Sequence, residues 1–233
     1  IPGVGKEKIV VCGAVLISPR YALTAAHCPG FIDSITVYGG VYDTNNLDVD
    51  GAQSSAIKDF FPHPKFYGTG PMVYNDIAVI ELETEFHETD SVKFIKIDAL
   101  YPEPHLPGAD LHIVGFGADN FKDGDFVLTT RLHSAEVKSV DHDTCQREWS
   151  KWNATISSEQ ICTSVDPAGT GPGDSGAPLI YKRHVPGSNT TEWRLLGVSS
   201  TGTTPPGESP DVFTRVPSFC AWIGNVTMVA CTL

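Results

Sequence analysis

Three short strings carry the residue types from which covalent catalysis can be assembled: TAAHC at 24–28, NDIAVIEL at 75–82 and GDSGAPL at 173–179. A serine hydroxyl is a weak nucleophile at neutral pH. It needs a base within hydrogen-bond reach, and that base needs an orienting group. Histidine, with an ordinary pKa of ~6.5, accepts and returns a proton under mild conditions. A buried carboxylate fixes the imidazole tautomer and stabilises the imidazolium. His27, Asp76 and Ser175 supply these three types. The oxyanion that develops during attack needs two backbone N–H donors, and a glycine near the serine lets the chain turn tightly enough to present them. The N–H groups of Gly173 and Ser175 are the candidate pair. Singly, each string is unremarkable, because a lone histidine is usually solvated and an aspartate before a strand is usually a turn residue. Together they point to acyl transfer through a serine.

Such groups must be held by a scaffold, and the sequence reads as β. Short β-branched and aromatic runs alternate with Gly, Pro, Asn and Asp clusters. Strands are expected near 8–17, 34–42, 55–60, 76–82 and 92–97. A second set is expected near 110–117, 132–140, 160–163, 177–182, 193–200 and 211–216. Between the sets lies YPEPHLPGAD at 101–110, whose prolines suit an extended connector and would not sit in a central strand. The expected organisation is therefore one β unit over 1–105 and a second over 106–233. Helical periodicity is nearly absent until the end, where Phe219, Trp222, Ile223 and Val226 recur at helical intervals and predict a terminal amphipathic helix.

The chain has 233 residues, enough for one large all-β domain or two small barrels, and 41% are hydrophobic. Its formal net charge of −12 argues against nucleic acid, whose phosphates require Lys and Arg. No apolar run reaches the ~18 residues of a membrane span, so no membrane partner is expected. Six cysteines occur (Cys12, Cys28, Cys145, Cys162, Cys220 and Cys231) without a C-x-x-C pair, which favours disulfides over structural zinc. Sequons begin at Asn153, Asn189 and Asn225. Cysteines and sequons together suggest a glycosylated protein of the secretory pathway.

In string, order and extent, the sequence resembles the trypsin/chymotrypsin family of serine proteases. The resemblance includes CGAVLI at 12–17, SPRYALTAAHC at 18–28, VGFG at 114–117 and SPDVFTRV at 209–216. It implies an all-β fold of two antiparallel six-stranded barrels with a C-terminal helix and the site in the cleft between them. It also implies a secreted, zymogen-derived endopeptidase acting on polypeptides, without cofactor, monomeric, and open to protein protease inhibitors. Bridges Cys12–Cys28 and Cys145–Cys162 follow from family position. Cys220 and Cys231 have no family counterpart. An unbroken helix would hold them about 16 Å apart at ~1.5 Å per residue, beyond the about 7 Å a bridge permits. By elimination the default partner of each is the other, which requires that the helix end early and the tail fold back; the alternative is that one of them pairs elsewhere.

Other departures are informative. Two family bridges are missing: one would use position 171, which is Gly, and the other would join positions assigned to His133 and Tyr181, whose rings are expected to lie side by side instead. The pocket floor falls at Gly169, so trypsin-like acidity is absent there. Thr170 lines the route, Ser200, Thr201 and Gly202 form one wall, and Asp211 stands where relatives commonly have Gly. Asp211 reads either as a receptor for Lys and Arg or as a structural carboxylate beneath an apolar pocket; both together would give a mixed basic and apolar preference. In the family an activated N-terminal ammonium pairs with the aspartate before the serine, here Asp174. Ile1 is the candidate donor, but IPGV differs from an IVGG-like start and only residues 1–11 precede Cys12. The other reading places Ile1 in the first strand and the partner of Asp174 upstream. The loop carrying Asp43, Asn45, Asn46, Asp48 and Asp50 has the oxygens a calcium ion wants, although a solvated loop is the preferred reading. Two competing functions are a catalytically silent protease-like binding or regulatory module, against which the complete triad counts, and an α/β esterase, whose alternating pattern is missing.

Overall fold

The structure is a computed structural model and describes residues 12–28, 35–99, 107–122, 125–185, 187–203 and 206–232. The first half contributes β1 (Val15–Leu16), β2 (Tyr21–Thr24), β3 (Thr36–Gly39), β4 (Gln53–Pro62), β5 (Tyr67–Thr69), β6 (Met72–Tyr74) and β7 (Ala78–Leu82). A short β8 (Lys96–Ile97) leads to the second half, with β9 (Asp110–Gly115), β10 (Ala118–Lys122), β11 (Asp125–Leu128), β12 (His133–Val140), helix α1 (His142–Ser150), β13 (Gln160–Thr163), β14 (Pro178–His184), β15 (Thr191–Thr201), β16 (Asp211–Arg215) and helix α2 (Cys220–Thr227).

Both halves are antiparallel. In the first, the strand order is β1-β2-β7-β4-β3, a five-stranded, half-barrel sheet among the described residues. In the second, β14-β9-β12-β13-β16-β15 closes through a β14–β15 pairing into a six-stranded barrel, and β8 adds in parallel to β15. The all-β architecture with a terminal helix is thus as expected, whereas the 105/106 boundary lies outside the described residues.

Burial explains which strands are central. The AVIEL run of β7 lies between β2 and β4 with Ala78 and Val79 fully buried, as a strand covered on both faces should be. On β15, Leu196 faces the second barrel's core with Leu111, Leu179 and Phe213, while Leu195 and Val198 join Leu23, Ile77 and Val79 of the first half. That second cluster, which also takes in Phe219 and Ile223, glues the two halves together beneath the cleft. Among the described residues no helix is long and apolar enough to cross a membrane.

Three features differ from the sequence reading. Helix α1 was not expected. Asp141 caps it by accepting the Thr144 N–H at 2.8 Å, and it buries only Cys145 and Trp149, one turn apart. Its nine residues are too few to display a periodicity. The β5–β6 and β10–β11 hairpins and β2 also differ from the reading: the hairpin strands are only three to five residues long, and β2 is embedded in a motif read for its chemistry.

The third difference is one of register. β12 sets His133 opposite Gly115, whereas β14 sets Leu179 and Ile180 opposite Ile113 and His112. Continued by one residue, that ladder puts Tyr181 opposite Leu111, about four residues along β9 and roughly 13 Å from the level of His133 at ~3.3 Å per residue. The expected contact between the two rings therefore fails. Tyr181 is buried in the barrel core and its hydroxyl donates to Asp98, while His133 is exposed beside Thr129 and Asp119.

At the C-terminus α2 stops at Thr227, and Met228 takes the left-handed conformation (φ 61°) that turns the chain back. Thr232 then hydrogen-bonds β8 and its neighbour, from its N–H to Ile97 O at 2.8 Å and from Ala99 N–H to Thr232 O at 2.7 Å. The reversal brings Cys220 and Cys231 to a Cα separation of 5.9 Å, and they are bridged. Cys12–Cys28 and Cys145–Cys162 are bridged as well, and no described cysteine is free.

Candidate active site

His27 lies just past β2, in a turn closed by the Cys28 N–H on Ala25 O at 3.2 Å. Ala25 and Ala26 are buried, so only small side chains fit the turn, and the Cys12–Cys28 bridge anchors its far end. Asp76 precedes β7. Its neighbour Asn75 adopts a positive φ of 50°, a conformation asparagine tolerates better than most residues, and is held by its side-chain amide on Lys65 O at 2.9 Å. Ser175 sits in a turn between Gly173 (φ 98°) and Gly176 (φ 78°), both in the region that favours glycine.

These elements bring the three side chains into one line. His27 Nε2 lies 2.7 Å from Ser175 Oγ, and His27 Nδ1 lies 2.7 Å from Asp76 Oδ2. Asp76 is 1% exposed. Its Oδ1 accepts the His27 backbone N–H at 2.9 Å, and its Oδ2 also accepts the Ser200 hydroxyl at 2.6 Å. The Thr214 hydroxyl donates to the Asp76 carbonyl at 2.8 Å. A buried carboxylate satisfied on both oxygens remains an acceptor and forces the imidazole proton onto Nδ1, leaving Nε2 to receive one from serine. Sequence reasoning placed Ser200 in the pocket wall and missed its tie to Asp76. A β-bulge between Ser199 and Thr201 takes Ser200 out of the ladder and re-aims its hydroxyl.

The turn around Ser175 is pinned on every side. Gly13 N–H donates to Ser175 O at 2.7 Å, Gly176 N–H to Ser199 O at 2.8 Å and Ala177 N–H to Asp174 O at 2.8 Å. Neither the Gly173 nor the Ser175 N–H donates to a described residue, so both stay available to an incoming oxyanion. Asp174 turns away from the cleft, accepting Gly117 N–H at 2.8 Å and Gly171 N–H at 3.0 Å. Burial pushes its carboxyl above the usual range, opposed by those two hydrogen bonds and by His133. Its expected pairing with Ile1 lies outside the described residues. Leu128 of β11 lies over Gly173, its Cδ2 3.0 Å from where a Cβ there would be, a contact with no signal in the sequence.

The pocket residues also converge. An ideal Cβ on Gly169 would lie 2.8 Å from Asp211 Oδ2, and one on Gly202 would lie 3.0 Å from Asp211 Oδ1. Asp211, 1% exposed, thus fills the base between floor and wall. Its Oδ2 accepts the Thr170 N–H. Burial pushes its carboxyl up to about 6; the neighbouring Asp174 adds to the rise and Thr170 donors oppose it. Position 171, where a family bridge is missing, rests instead on the β10 hairpin, with Ala118 N–H donating to Pro172 O at 2.9 Å. Thr201 pairs with Val212 on the wall. In the acidic loop Asp43 accepts Asn45 N–H at 2.9 Å and pairs with Arg131 at 3.9 Å, and no group of metal-ligating side chains occurs among the described residues. Asn153, Asn189 and Asn225 are exposed.

Two β bodies meeting at a Ser–His–Asp line define a serine protease scaffold. The trypsin family model matches residues 4–223, and the chain belongs to that family. It is 30% identical over 220 residues to the atrial natriuretic peptide-converting enzyme of Mus musculus, covering 91% of this chain and 18% of that protein. It is 30% identical to chymotrypsin-C of Bos taurus, covering 92% of this chain and 77% of that one. Among solved structures it resembles neuropsin, a serine protease expressed in mouse brain, with a TM-score of 0.76 at 28% identity over 93% of this chain and 88% of that one. The chain thus spans less than a fifth of the first of these relatives and about three quarters of the second.

Proposed function

We propose that this chain is a serine endopeptidase that hydrolyses peptide bonds through an acyl-enzyme. One observation carries the reading: two consecutive 2.7 Å contacts linking Ser175 through His27 to Asp76, beside a glycine turn with two uncommitted N–H groups. Ser175 Oγ attacks the scissile carbonyl carbon as its proton passes to His27 Nε2. The carbonyl π electrons move onto oxygen, which the N–H groups of Gly173 and Ser175 receive. Collapse of this intermediate breaks the C–N bond, and His27 returns the proton to the leaving amine. Water then repeats the sequence on the acyl-serine, giving the free acid and restoring Ser175. Asp76 keeps its proton-free form throughout and holds the imidazole in register.

The residue on the N-terminal side of the scissile bond enters between Gly169 and Gly202. With no charge on the floor and a carboxyl at the base, the preference is mixed: apolar side chains fill the pocket and Lys or Arg reaches Asp211 through a charge-assisted hydrogen bond. The enzyme works outside the cell as a monomer in two units, 1–105 and 106–233, glycosylated at Asn153, Asn189 and Asn225, and meets protein protease inhibitors there. Support comes from three disulfides, which persist in oxidising compartments.

The test is labelling with a fluorophosphonate, followed by a peptide-library digest. Stoichiometric modification at Ser175 and loss of all turnover in Ser175→Ala are expected. A folded protein that neither labels nor cleaves would instead be a silent binding module.

A further inference from the structure

Asp211 is a buried carboxyl at the base of a pocket that, among the described residues, offers it no cation. From the segment before the serine it meets Gly169, backed by Val165, and the Thr170 N–H on Oδ2. From the end of β15 it meets Gly202 at Oδ1. Across the ladder on β13 stands Thr163, fully buried, whose hydroxyl has no hydrogen-bond partner. On its own strand Val212 follows, and the Pro210 carbonyl before it is taken by Trp149 Nε1 of α1 at 2.9 Å. Among the described residues Asp174 is the one charged group that acts on it, and it acts against ionisation. No described Lys, Arg or His supports the carboxylate.

An ionised group so placed is under-compensated, because one backbone donor and a threonine stand where a solvated carboxylate would have a full shell of water. Burial accordingly moves its titration to about 6, inside the range a secreted protein encounters. Two substrate side chains bear on that balance in opposite senses. A guanidinium or ammonium supplies the missing counter-charge and selects the ionised form. An apolar side chain closes the mouth of the pocket, removes more water and selects the neutral form.

We propose that protonation of Asp211 switches the pocket between substrate classes, basic side chains being cut when it is ionised and apolar ones when it is neutral. The switch rests on the endopeptidase reading above and adds regulation by ambient pH to it. It needs no movement of the chain: one proton at the base of the pocket changes what the same walls accept. His27 is not part of it, because its protonation stops the chemistry on every substrate alike.

That difference shapes the test. Two peptides identical except for Arg or Leu before the scissile bond are cleaved by the wild-type enzyme from about pH 5 to about pH 8, and the ratio of their kcat/KM values is taken, which cancels His27. The ratio of Arg to Leu cleavage follows the ratio of ionised to neutral carboxyl and should rise about tenfold per pH unit on both sides of the titration at about 6; a ratio that rises and then levels off there would mean that Leu cleavage ignores the proton, and would overturn the apolar half of the switch. In Asp211→Asn it should be low and flat. A wild-type ratio that is constant while both peptides are cut overturns the switch and leaves the endopeptidase standing. Failure to cut either peptide at any pH, with Ser175 unlabelled, overturns both. As a readout that does not depend on the variant folding, benzamidine binding to wild type is followed by calorimetry in buffers of different ionisation heat. Proton release on binding near pH 6 that vanishes near pH 8 supports the switch; absence of release near pH 6 overturns it.

Discussion

Gly176→Ala should damage stability and chemistry together. At φ 78° a Cβ sits in the left-handed region, costing about 1–2 kcal/mol. The same Cβ would lie 2.2 Å from Thr24 Oγ1, 2.4 Å from Gly13 O and 3.0 Å from Ala25 N. The threonine hydroxyl could rotate aside, but the two backbone atoms cannot: Gly13 N–H holds Ser175 O, and Ala25 opens the turn that carries His27. Relieving that overlap adds about 1–3 kcal/mol of overpacking, for a total of about 2–5 kcal/mol. The relief must push apart the two backbones that carry nucleophile and base. A displacement of ~1 Å there lowers turnover by about 10²-fold. Urea unfolding followed by tryptophan fluorescence gives the first quantity, and kcat/KM per fluorophosphonate-titratable site gives the second. Ser175→Ala, which removes only an oxygen, is the control and should unfold as wild type does. If Gly176→Ala unfolds within about 0.5 kcal/mol of wild type and keeps a third of its activity, the account of this turn is wrong.

Asp76→Asn should lower kcat by about 10⁴-fold, because an amide NH2 facing His27 Nδ1 forces the imidazole proton onto Nε2, where it blocks transfer from Ser175; stopped-flow turnover near neutral pH is the check, and a loss under tenfold would count against the assignment. Replacing Cys220 and Cys231 together by Ser opens a loop with a separation of 11 residues, worth about 2.8 kcal/mol by chain entropy. Calorimetry should then show a Tm lower by roughly 6–11 °C with kcat retained, since the bridge lies away from the triad. For Asp211, the unfolded carboxyl titrates at 3.8 and the folded one at about 6. The stability it contributes is complete below the unfolded value and is lost as pH rises through about 6, by up to about 3 kcal/mol. Wild type should therefore lose more stability than Asp211→Asn between pH 4 and pH 7, and parallel urea curves for the two would refute the burial argument.

What was legible in the sequence followed from chemistry that only a few residue types can perform. His27, Asp76 and Ser175 stand out because each sits in a string of small or β-forming residues, and the fold places all three in contact. Gly173 was readable because a tight turn before the serine needs glycine, whereas Gly169 and Gly202 were placed only by the family resemblance, and the Asp211 carboxylate proves to be what crowds them. Less was legible where geometry depends on register. Assigning Tyr181 a partner on β12 required knowing how two strands slide along β9, and a shift of a few residues carries no local signature. Helix α1 escaped because a cap and two buried residues make too short a pattern. The duty of Ser200 escaped because a bulge, which sequence does not announce, turns it. Elimination paired Cys220 with Cys231 but could not say how the tail returns; Met228 does it by reversing the chain.

Asp76 belongs to the first half, yet the hydroxyls that hold it, from Ser200 and Thr214, belong to the second. The residue that orients the base is therefore also a rivet across the cleft. Opening the cleft, a motion short of unfolding either half, withdraws both hydroxyls and separates His27 from Ser175 in the same event. The catalytic line and the apolar seam beneath it, where Leu195 and Val198 meet Ile77 and Val79, are thus lost together. The line that would carry the chemistry is therefore only as durable as the seam between the two halves, and whatever holds that seam shut also holds the imidazole in place.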